Sequence, residues 1–157
     1  MNGYFYCLLL SLLLLSCAEK TESSDSSKSV INKTSPIEGN WELVENVVEG
    51  VRVKSGRNQQ FKTFNDGFFC FTMQNPDGSF HGSGAGTYSV DGDQYRETFT
   101  HYSDTTWIGY SDVQKWELQG DTLVFSGFKQ VIDRFGRVLP GAWGGDKFVE
   151  KRVRAKR

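Results

Sequence analysis

From Gly39 onward the chain breaks into short runs rich in aromatic and β-branched residues, each closed by a tight-turn dipeptide. Asn65-Asp66-Gly67 separates QQFKTF from FFCFTM, Asp91-Gly92-Asp93 separates GTYSV from QYRETFTHY, and Gly120-Asp121 separates VQKWELQ from TLVFSGF. Such dipeptides supply the φ > 0 residues at which neighbouring antiparallel strands reverse. Several short strands at regular spacing predict a sandwich or a barrel. No segment carries a sustained helical period with caps, so at most one short helical turn is expected. The expected fold is all-β: a single antiparallel up-and-down barrel of about eight strands over residues 37–157.

Alternation assigns faces to these strands. In QYRETFTHY, Tyr95, Glu97, Phe99 and His101 fall on one side and Arg96, Thr98 and Thr100 on the other. Trp116 and Leu118 oppose Lys115 and Glu117, Leu123 and Phe125 continue the apolar face, and Phe69, Phe71 and Met73 form another. One apolar face per strand suits a closed barrel, which also removes sheet edges. Tyr95, Glu97, Phe99, His101, Trp116 and Phe71 are therefore the expected lining of a ligand pocket, a few polar groups among many aromatics. For Glu97 and His101 the plainer role is to satisfy neighbouring barrel polars.

Gly39-Asn40-Trp41 resembles the G-x-W opening of lipocalins and related calycin barrels. Asp66-Gly67-Phe68-Phe69, Gly86-Thr87-Tyr88, Tyr95-Arg96-Glu97-Thr98 and Gly120-Asp121-Thr122-Leu123 extend the likeness over most of the domain. Together they resemble a family of small bacterial lipocalin-like (calycin-type β-barrel) lipoproteins of uncharacterised function. The resemblance implies that a basic residue late in the last strand packs over Trp41 and closes the barrel base, with Arg152 or Arg154 as the counterpart.

The first residues read as an address. Tyr4 to Ser16 form an apolar run, YFYCLLLSLLLLS, too short to span a bilayer and suited to a secretory signal. Leu14-Leu15-Ser16-Cys17 resembles the lipobox of bacterial lipoproteins, which implies cleavage after residue 16 and acylation of Cys17. Residues 17–36, polar and Ser-rich, then read as a flexible tether reaching about 25 Å as a coil. The expected location is the bacterial cell envelope, held by lipid, with the outer membrane favoured because Ala18 is not the Asp that retains some lipoproteins at the inner membrane.

Composition narrows the function classes. With 18 Lys plus Arg against 19 Asp plus Glu the net charge is −1, so no broad attraction to nucleic acid is expected. Two histidines, and one cysteine left after Cys7 is cleaved and Cys17 acylated, are too few for a closed zinc site, and no metal or cofactor is expected. Cys70, within FFCFTM, reads as a small buried hydrophobe. Phe80 to Gly86 has neither phosphate-loop spacing nor a nucleophile elbow and reads as a flexible hairpin loop at the barrel mouth, carrying His81. The basic tail from Lys147 to Arg157 reads as the solvated face of a terminal strand. Lys129 to Asp146 is the least regular stretch, with Trp143 either capping one barrel end or exposed as a contact anchor.

These features point to a non-catalytic protein. Its partners would be the membrane, through the N-terminal lipid, and a small hydrophobic or amphipathic ligand inside the barrel. The alternative is a filled barrel whose loops bind an envelope protein or a glycan.

Overall fold

The computed structural model describes residues 35–53 and 59–156. The signal segment, Cys17 and nearly all of the tether lie outside the described residues. Among the described residues nine strands follow one another: β1 (Gly39–Val48), β2 (Val51–Val53), β3 (Gln59–Asn65), β4 (Phe68–Gln74), β5 (Phe80–Asp91), β6 (Gln94–Tyr102), β7 (Ser111–Gln119), β8 (Thr122–Ile132) and β9 (Val149–Arg154). Every pairing is antiparallel, and β1 also pairs with β9. This last pairing closes a barrel of eight strands, and the short β2 lies beside the far half of β1. Among the described residues helix is limited to two 3₁₀ segments, Thr105–Trp107 and Ala142–Lys147.

The expected turns form where their residues demand. Asp66 and Gly67 take φ of 47° and 75° between β3 and β4, the paired positive angles of a two-residue hairpin whose twist matches the strands it joins.

Gly82, Gly84 and Gly86 lie in β5 itself, so the Phe80 to Gly86 stretch is strand rather than a flexible loop. Gly84 and Gly86 clear space for rings. A Cβ on Gly84 would stand 2.6 Å from the Phe71 ring, and one on Gly86 would stand 1.9 Å from the Thr98 carbonyl oxygen and 2.9 Å from the Phe69 ring.

The interior is tiered along the barrel axis. Around Trp41 it is filled by Phe64, Tyr95, Leu123 and Phe125, with Phe64 and Tyr95 edge to face at 5.9 Å and Tyr95 and Phe125 at 4.7 Å. The opposite end, next to the start of β9, carries a second aromatic group. Trp143 meets Trp107 at 5.2 Å and Phe128 at 5.4 Å and stacks on Tyr110 at 6.2 Å. Trp143 thus caps this end rather than standing out as an anchor. Its backbone is left-handed, φ 57°, a conformation that a bulky side chain rarely adopts and that the packing around it must sustain.

The basal closure uses one of the two expected arginines. Arg154 sits opposite Trp41 in the β1–β9 register, and its guanidinium lies 3.9 Å from the Trp41 ring centroid. Arg154 also donates to the carbonyls of Glu38 and Pro36, and the Trp41 indole N–H donates to the Ile37 carbonyl at 2.7 Å. Arg152 has a different place. It is buried inside the barrel, so the basic tail is not uniformly solvated.

Candidate functional site

A polar belt separates the two aromatic tiers. Inward positions of β3, β6, β7 and β9 bring together Gln60 and Lys62, Glu97, Asp112 and Gln114, and Glu150 and Arg152. They border a cavity of about 180 Å³ whose remaining wall includes Phe71, Tyr95, Phe99, Tyr102, Phe128 and Trp143.

Two ion pairs organise the belt. Lys62 donates to Glu97, which also accepts from the Tyr95 hydroxyl, and the Lys62 ammonium lies 4.5 Å from the Phe69 ring centroid. The Arg152 guanidinium donates to Glu150 through Nε and to the Gln60 amide oxygen through Nη2. A fifth ionisable group, Asp112, accepts from the Gln114 amide at 2.7 Å. Buried charges persist only when so paired and hydrogen-bonded.

Position decides how these groups titrate. Burial pushes the Asp112 carboxyl well above the usual range and the negative charge of Glu97 adds to this, against smaller opposing effects of the Gln114 hydrogen bond and the Lys62 charge. Burial also pushes Glu150 upward, but the Arg152 and Lys62 charges with the Arg152 hydrogen bond outweigh it and hold that carboxyl below its ordinary value. The Tyr95 phenol is driven well above its ordinary value by burial first and Glu97 second.

Four of the six expected lining residues meet at the cavity: Phe71, Tyr95, Glu97 and Phe99. His101 does not. Phe99 pairs with Gly86 and His101 with Ala85, so Thr100 is an extra residue that breaks the alternation. The bulge turns His101 outward to solvent, where its Nδ1 lies 3.0 Å from the Thr100 hydroxyl, and Tyr102 takes the inward place.

Trp116 also leaves the site. It follows Lys115, the last β7 residue paired with β6, and its indole N–H donates to the Gly92 carbonyl of the β5–β6 turn at 3.0 Å. Cys70 is exposed, because Phe69 and Phe71 occupy the inner face of β4 and leave the residue between them outside. His81 is exposed as well, its Nδ1 2.9 Å from the Asn75 side-chain oxygen.

Lys62, Gln60, Asp112, Gln114, Glu150 and Arg152 were not expected at the site. Parity carried a signal for several of them: Gln60 and Lys62 are in phase with inward Phe64, and Asp112 and Gln114 with Trp116. The expectation that charged residues face water hides that signal.

No protein-family profile and no curated protein matches this chain. The closed eight-strand antiparallel barrel is consistent with a calycin-like fold.

Proposed function

We propose that this chain is a non-catalytic, lipid-anchored protein of the bacterial envelope, lipocalin-like in kind, whose barrel takes one small amphipathic molecule into its lumen. The observation that carries the reading is the cavity of about 180 Å³ between the polar belt and the Trp143 cap. A long acyl chain is too large for it, whereas an apolar cavity of about 150 Å³ holds a benzene-sized ring. The wall sets aromatic faces for packing beside hydrogen-bonded polar side chains that could orient a ligand. Both imidazoles and the Cys70 thiol sit outside the lumen, which favours binding over catalysis.

Anchoring rests on the Cys17 lipobox, and several acyl chains would hold the protein to the outer membrane. Native mass spectrometry of the protein purified from its own host tests the binding reading. A single retained small molecule supports it, and a bare protein mass under the gentlest conditions opposes it. Conversion of Cys17 to Ala should release the protein from membranes, and undiminished membrane association opposes the anchor.

The alternative of a loop-borne protein or glycan partner draws support from one turn. Asp133 accepts from the backbone N–H groups of Phe135 and Arg137, both at 2.9 Å, and pairs with the Arg137 guanidinium. This braced turn holds Phe135 out in solvent.

A further inference from the structure

Three side chains of the cavity wall carry hydrogen-bonding capacity that no described residue uses. Arg152 Nη1, Gln114 Oε1 and Asp112 Oδ2 are buried without a partner among the described residues. Their side chains are nearly inaccessible, at 1%, 5% and 1% residue exposure. Orphaned polar groups at such depth are costly, and a ligand that satisfies them recovers that cost on binding. The set holds one permanent donor, one amide acceptor and one carboxyl oxygen. Arg152 is fixed by its bonds to Glu150 and Gln60, and Gln114 by its bond to Asp112.

Charge limits what can enter. Lys62 is already paired with Glu97 and Arg152 with Glu150, so neither cation is free to neutralise an anion. An incoming carboxylate would also face Glu97 and Glu150 on the same wall. An incoming cation meets Lys62 and Arg152, and the one unpaired carboxyl, Asp112, is the group that burial and Glu97 keep protonated above the usual range. A purely apolar molecule would leave the three polar atoms unmatched. Size limits the ligand further, to roughly one ring with a short substituent.

We propose that the lumen takes an uncharged, planar, single-ring molecule with an amide-like edge, its carbonyl set toward Arg152, its N–H toward Gln114, and its ring against Phe99, Tyr102 and Trp143. This assignment rests on the lumenal-binding reading and adds the chemical class of the ligand. Gln114 and Arg152 become the residues that set specificity, and the aromatic cap supplies the face on which the ring packs.

Isothermal titration of the full chain with four ring-matched probes tests the class: benzamide, benzoate, benzylammonium and toluene. Benzamide is expected to bind about tenfold or more tightly than each of the others, the ratio that one or two additional hydrogen bonds supply. Gln114→Met, which keeps the volume and removes the acceptor, should weaken benzamide about tenfold and leave toluene unchanged. Tighter binding of benzoate or benzylammonium overturns the uncharged class while leaving lumenal binding intact. Equal binding of toluene and benzamide overturns the amide-like edge in the same way. Absence of heat from all four overturns the ligand class, and the lumenal reading is then judged separately by the small molecule retained in native mass spectrometry.

Discussion

Arg154 covers Trp41 at the barrel base, its guanidinium 3.9 Å from the ring centroid, while the same side chain ties down the carbonyls of Glu38 and Pro36. Stacking and two carbonyl bonds use the planar fork of arginine, which a lysine ammonium cannot reproduce. Arg154→Ala should cost about 1–2 kcal/mol in urea unfolding, and Arg154→Lys should recover less than half of that loss. A full recovery by lysine would show that charge alone is at work.

Lys62 and Glu97 form the most buried ion pair of the belt, with Tyr95 as a second donor to the carboxylate. Removing one member leaves the other buried without its counter-charge. Lys62→Met should therefore cost about 3–5 kcal/mol, and the double change Lys62→Met with Glu97→Gln should be more stable than Lys62→Met by itself. Additive losses in a double-mutant cycle would contradict the pairing.

Asp112 and Glu150 should push stability in opposite directions as pH changes. The Asp112 carboxyl is raised in the folded protein. Its stabilising contribution is fully present below about pH 4, the unfolded value, and is lost as pH rises through the folded value. The Glu150 carboxyl is lowered, so its contribution is present above about pH 4.3 and is lost as pH falls through the folded value. Asp112→Asn should gain stability on the wild type as pH climbs above about 4, whereas Glu150→Gln should lose against it as pH climbs toward about 4.3 from below and run level with it above that. Chemical denaturation from about pH 2.5 to about pH 7 checks both, and parallel profiles for all three proteins would contradict the assignment.

Gly86 has ordinary strand conformation but no room for a side chain, with the Thr98 carbonyl 1.9 Å and the Phe69 ring 2.9 Å from the site of a Cβ. Gly86→Ala should destabilise by at least the roughly 1–3 kcal/mol of an overpacked core, because the nearest obstacle is backbone. A thermal unfolding midpoint equal to that of the wild type would show that the β5–β6 seam is looser than these distances imply.

The sequence made the barrel legible through its turns and its alternation. Asp66-Gly67 and Gly120 sit where the chain reverses, and period two placed Phe71, Tyr95, Glu97 and Phe99 inside. It failed where period two itself fails. One extra residue at Thr100 sends His101 out and Tyr102 in, and nothing in QYRETFTHY marks that bulge. Phe80 to Gly86 reads as a loop by composition, yet Gly84 and Gly86 leave the space that rings from β4 and β6 occupy. The polar belt was hidden for another reason. Lys62 becomes an inward residue only once Glu97, 35 positions away, neutralises it, and Arg152 meets Gln60 across 92 positions. Such pairings exist only after the barrel closes.

The central claim is that a small molecule enters the lumen rather than docking on the loops. Two-dimensional amide NMR of the protein, titrated with a small-molecule extract of its own host, tests this most directly. The account predicts shifts concentrated at inward residues around the cavity, among them Lys62, Phe99, Gln114, Arg152 and the cap at Trp143. Shifts confined to the exposed turn at Phe135 or to the outer face at Cys70 and His101, with the lumen unchanged, would contradict it.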